Sequence, residues 1–121
     1  MLLSFSNGQL ITPIDNAHLN HIHVLFEWEQ IPEASSYELQ LSQDPEFSND
    51  VNQVSNNSLV HVEREIIDWG HTYFWRVRPI HGSEPGNWSN ACSFTTGQSL
   101  TTSDVNMIDE NSYSNGITVF G

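Results

Sequence analysis

Large apolar side chains recur at every second position in several stretches of this chain, with polar ones between them. From Gly70 to Pro79, Tyr73, Trp75 and Val77 fall on one face and Phe74, Arg76 and Arg78 on the other, the period of a half-buried strand. Ile22–Glu29 repeats the pattern, with Val24, Phe26 and Trp28 on the inward side and Leu25, Glu27 and Glu29 on the outward side. Tyr37, Leu39 and Leu41 alternate with Glu38 and Gln40 in the next run. Shorter strands are predicted at Gln9–Pro13, Val51–Val54 and Leu59–Val62, and a last one at Asn90–Thr96 with Cys92 and Phe94 inward. Helical periodicity is absent.

Turn chemistry separates these runs. Pro32 lies in the first connection, and Pro45 in Asp44-Pro45-Glu46-Phe47 excludes a continuing central strand, since proline has no N–H for the ladder. Ile66-Ile67-Asp68-Trp69-Gly70 turns the corner into the long strand, and His81–Gly86 reads as a polar loop. Seven strands with turns every 8–14 residues predict an all-β chain, a two-sheet antiparallel sandwich.

The pattern also divides the chain. Residues 1–8 read as an N-terminal extension, 9–97 as the sandwich and 98–115 as a polar linker rich in Ser, Thr, Asn and Asp. Gly116-Ile117-Thr118-Val119-Phe120 then resembles a strand that stops at the last residue. A strand without a partner is marginal, so 116–121 either pairs with the sandwich edge or, the preferred reading with seven strands already placed, is the start of a truncated next domain.

Composition adds one strong constraint. Fifteen acids face three arginines, Arg64, Arg76 and Arg78, with no lysine, for a formal net charge of -12. Such a surface repels phosphate backbones and anionic headgroups, which argues against nucleic-acid binding. Adaptation to a salty medium explains the bias better than an acidic docking face for a cationic partner or Ca²⁺. No run reaches the ~18 apolar residues of a membrane helix, so membrane insertion is not expected. Met1–Phe5 is too short for a signal-peptide core; an exported parent would carry its signal outside these residues. Cys92 is the lone cysteine, which excludes an intrachain disulfide and reads as a small buried hydrophobe.

Phe26-Glu27-Trp28, Tyr37-Glu38-Leu39-Gln40-Leu41-Ser42, Tyr73-Phe74-Trp75-Arg76-Val77-Arg78 and Gly86-Asn87-Trp88-Ser89 followed by Ser93-Phe94-Thr95 together resemble a fibronectin type III domain over about residues 9–97. The resemblance implies an immunoglobulin-like, seven-stranded Greek-key sandwich. Trp28, Tyr37, Tyr73 and Trp75 would be its core, with Trp28 between the sheets and Tyr73 as the corner tyrosine bonding back to nearby backbone. Tyr-x-Trp-Arg-Val-Arg with Trp-Ser looks like the bacterial branch, whose domains are mostly spacers beside secreted enzymes. No Arg-Gly-Asp triplet occurs, so integrin binding is not carried over. Ser114–Gly121 is similar to the entry into an arylsulfotransferase-type propeller, none of whose catalytic residues would lie in this chain.

Three clusters qualify as candidate sites. His18, His21 and His23 lie at the mouth of the second predicted strand; His21 and His23 would share a face able to meet Zn²⁺ or Ni²⁺, but with no cysteine or fixed carboxylate nearby they read as loop histidines. Asp44, Glu46 and Asp50 gather oxygens around a turn without the spacing of a calcium loop, and read as a solvated acidic turn. Arg76, Arg78 and Trp88 form a possible surface platform: Arg76 and Arg78 share a face, Trp88 is expected over them, and Glu38 or Gln40 is expected beside them. That set is read first as a structural ladder and second as an aromatic-cationic seat for a sugar or acidic ligand. No nucleophile, phosphate-binding or metalloprotease motif is present, so neither cofactor nor metal is expected.

The expected function is therefore a non-catalytic spacer or interaction module of a larger secreted, periplasmic or cell-surface bacterial protein. Its partner would be the neighbouring domain, and beyond that another protein or a glycan. The alternatives are an N-terminal accessory domain of a secreted enzyme of the arylsulfotransferase type and a carbohydrate-binding module.

Overall fold

The computed structural model describes residues 9–98; the expected extension at 1–8, the expected linker at 98–115 apart from its first residue, and the expected start of a next domain at 116–121 lie outside the described residues. Nine strands are present: β1 Leu10–Thr12, β2 Ala17–Leu19, β3 Val24–Trp28, β4 Ser36–Ser42, β5 Asn52–Asn56, β6 Val60–Glu63, β7 Thr72–His81, β8 Glu84–Pro85 and β9 Cys92–Thr96. They form a three-stranded sheet in the order β1-β3-β6 and a larger sheet in the order β2-β9-β7-β4-β5, with β8 paired to β7. This is an all-β two-sheet sandwich of the immunoglobulin-like kind.

The two strands beyond the expected seven are short. Pro13, which has no N–H to donate, follows β1, and the chain crosses to the other sheet. There β2 runs parallel to β9, with Ala17 beside Phe94 and Leu19 beside Thr96; every other pairing is antiparallel. The crossing is held by Asn16, in the left-handed region at φ 65°, whose N–H donates to the Ser93 carbonyl at 2.7 Å. Ser93 in turn donates its N–H to Asp15 Oδ1 at 2.8 Å. The supposed loop at 81–86 contains β8, a hairpin strand pairing Ile80 with Pro85 and His81 with Glu84.

The inward rows of the two sheets meet in one core. Phe26 and Trp28 come from β3, Tyr37 from β4, Tyr73 and Trp75 from β7 and Phe94 from β9, all buried. Phe26 meets Trp75 edge-on, with ring centroids 4.9 Å apart, and Trp28 meets Tyr37 in the same way at 5.9 Å. Tyr73 stacks on Phe94 at 5.5 Å. Offset and edge-to-face arrangements are the ones the ring quadrupole favours, so these contacts add specificity to the area they bury. The indole N–H groups of Trp28 and Trp75 are buried with no acceptor among the described residues, a cost that the apolar contacts of the rings must exceed.

Two tyrosine hydroxyls tie this core to its connections. Tyr37 Oη accepts the Ile31 N–H at 2.9 Å, and Tyr73 Oη accepts the Asp68 N–H at 2.8 Å, each satisfying a loop donor from inside. Cys92 is half-buried at the core margin rather than enclosed, because β9 begins there. Burial and then the nearby Asp15 charge push its thiol pKa up, the direction that disfavours the reactive thiolate.

Candidate functional site

The outer face of the larger sheet carries a stack of four side chains. Arg76 and Arg78 stand on β7 at alternate positions, so both point away from the core. The Arg76 guanidinium carbon lies 4.1 Å from the centre of the Phe47 ring and 4.5 Å from that of Trp88. Arg78 covers Trp88 at 4.4 Å. The order Phe47, Arg76, Trp88, Arg78 thus alternates ring and cation, a geometry in which each cation meets the negative face of a ring.

Register with β4 supplies the polar partners. Arg76 stands opposite Gln40 and Arg78 opposite Glu38. Arg76 donates from Nε at 3.0 Å and from Nη2 at 2.8 Å to Gln40 Oε1, and the Gln40 amide donates onward to Gln53 Oε1 on β5 at 2.8 Å. Arg78 donates from Nε and Nη2 to Glu38 Oε1, both at 2.7 Å. One hydrogen-bonded row therefore crosses three strands. Burial under the rings, and then the charge of Arg78, lower the Arg76 pKa while leaving a guanidinium charged in any ordinary solution.

Trp88 is carried to this place by its neighbours. Ser89 behaves like a strand residue beside β7: its N–H donates to the Val77 carbonyl at 2.9 Å, and its Oγ accepts the Val77 N–H at 3.1 Å. Gly86 donates its N–H to the Pro79 carbonyl at 2.8 Å, an approach so close that a Cβ there would sit 2.7 Å from Pro79 Cγ. Glycine is required at that position by space. The Gly86–Ser89 segment thus runs along β7 until β9 takes over at the Trp75–Cys92 pair.

Phe47 was not among the residues singled out by sequence. Its φ of 54° lies in the left-handed region, uncommon for a bulky residue. Asp44 holds that conformation by accepting the N–H groups of Glu46 at 3.0 Å, Ser48 at 2.9 Å and Asn49 at 3.1 Å. The Glu46 bond first, and then that of Ser48, depress the Asp44 pKa below an ordinary aspartate. The only sequence signal for Phe47 is an aromatic in an otherwise polar turn, two residues past a proline.

The other candidates are not brought together. Asp44 is committed to its own turn, whereas Glu46 and Asp50 are exposed, and no group of three metal-ligating side chains occurs among the described residues. His18, His21 and His23 are all exposed; His21 Nδ1 lies 3.3 Å from Asn20 Oδ1. No helix among the described residues is long and apolar enough to cross a membrane.

No family profile matches the chain, and no curated protein does. Solved structures do. A fibronectin type III domain derived from human KIAA0970 protein superposes with a TM-score of 0.60 at 17% identity, over 79% of this chain and 77% of that one. The fn3 domain of human collagen alpha-1(XX) chain gives 0.58 at 16% identity, over 78% and 90%. A bacterial structure, an Fn3-like protein from Clostridium thermocellum, gives 0.54 at 15% identity, over 72% and 92%. With sequences this far apart what is shared is architecture, and the described chain has the fibronectin type III fold.

Proposed function

We propose that this domain is a non-catalytic spacer and interaction module of a larger exported bacterial protein, and that the Phe47–Arg76–Trp88–Arg78 stack is the brace that stiffens it. One observation carries the reading. Each arginine gives two donors to Gln40 or Glu38, and each guanidinium carbon lies within 4.5 Å of a ring centre, so the cations and the ring faces toward them are engaged inside the domain. A sugar seat needs an open aromatic face with polar groups converging on it. The neighbouring domain is the expected partner, and residues 98–115 are the expected connection to it.

The discriminating experiment is a glycan array probed with the 121-residue protein and with its Trp88→Ala variant. The spacer reading predicts that neither retains a glycan. A glycan held by the parent and lost by a variant that still folds would replace the brace with a carbohydrate platform.

A further inference from the structure

The smaller sheet reverses the usual assignment of side chains on β6. His61 and Glu63 face the core, whereas Val60 and Val62 face out and are 41% and 44% exposed. Glu63 is stable inside because it is fully partnered: His61 Nε2 lies 3.1 Å from its Oε1, and its Oε2 accepts the N–H groups of Glu65 at 3.0 Å and Ile66 at 3.1 Å. The valines gain nothing from the core by pointing outward. Leu25, 45% exposed, stands directly opposite Val62, and Ile11 on β1 is 41% exposed on the other flank of β3. Four aliphatic side chains thus share one outward face across three strands.

We propose that this face docks a partner protein whose contact patch is aliphatic at its centre and rimmed by Lys or Arg. The proposal rests on the reading of the domain as an interaction module and names the kind of partner. Charge selects it. Glu27 stands opposite Val60 within the same face and has no cation within 4 Å among the described residues; just past the strand ends, Glu29 after β3 and Arg64 after β6 are both exposed. A second copy of this chain would set two Glu27 carboxylates against each other and bring together two molecules of net charge -12, which like-charge repulsion opposes. Addition of a strand to the open edge of β6 is opposed too, since it would strip the remaining water from His61 and Glu63. At this end of the small sheet the aliphatic face, rather than the β6 edge, is the surface offered to a partner.

The test uses the full 121-residue protein, labelled for NMR and titrated with a short amphipathic Leu/Lys peptide, with a Leu/Glu peptide of the same pattern as control. The expected result is shifts centred on Leu25, Glu27, Val60 and Val62, an affinity that falls about tenfold in high salt, and a similar loss for Leu25→Thr or Val62→Thr. Thermal melts of both variants check that the fold is kept. Equal binding of the Leu/Glu peptide, shifts centred on the Arg76–Trp88 stack, or no binding would overturn the proposal. So would a dimer, seen in sedimentation, that Val62→Thr dissociates, or contacts from residues beyond 98 onto Leu25. If the peptide fails while the glycan array stays blank, the spacer reading survives and only the docking face falls.

Discussion

At the scale of single residues, identity follows from what each position must fill or satisfy. Trp28 spans the gap between sheets and meets Tyr37 edge-on, and its replacement would leave a void that β-strands cannot close. Trp28→Ala is expected to cost about 3–5 kcal/mol in urea denaturation, a large share of the total stability of one small domain; a loss under about 1 kcal/mol would place the indole outside the core. Tyr73, Trp75 and Trp28 were legible because a large aromatic at every second position has few homes other than a sandwich interior. Phe47 was not legible. Its ring reaches Arg76 only because the Asp44 carboxylate captures three backbone N–H groups and bends the chain into the left-handed region, a local capture that alternation does not encode.

At the scale of elements, strands whose pattern is driven by burial read clearly and strands placed by their partners do not. The long β7 and its β4 neighbour alternate throughout, and their register alone sets Arg76 beside Gln40 and Arg78 beside Glu38. By contrast β2 exists because the chain changes sheets after Pro13 and finds β9 alongside. In β6 the two valines suggest an inward row, but Glu63 takes the interior because His61 and two backbone N–H groups receive it there. Burial pushes the Glu63 pKa up, but those hydrogen bonds outweigh burial and leave it below an ordinary glutamate. A carboxylate with a lowered folded pKa stabilises the fold above its unfolded value of about 4.3, and that contribution disappears as pH falls through the folded value. Glu63→Gln is therefore expected to lose about 1–3 kcal/mol at pH 7 and to converge with the parent in acid, as read by denaturation at a series of pH values. Parallel curves at every pH would show that Glu63 does not titrate with folding.

At the scale of the whole molecule, fifteen acids against three arginines leave a chain that repels itself. Two of those arginines are already committed to the brace, so little positive charge offsets the acidic surface. Salt screens such repulsion, with a Debye length of about 30 Å at 0.01 M falling to about 3 Å at 1 M. The melting temperature is expected to rise with sodium chloride over that range; a fall would mean that the Arg78–Glu38 pair outweighs the net repulsion. The same charge is compatible with the cationic rim of the partner proposed for the outward face of the small sheet.

In the proposed function the ring–cation stack holds the domain itself together. A double-mutant cycle between Arg76→Ala and Trp88→Ala, measured by urea denaturation, tests it most directly. A coupling of about 0.5–1 kcal/mol between the two side chains is expected, with each single variant destabilised. Additive effects with no coupling, in variants that keep the fold, would contradict it.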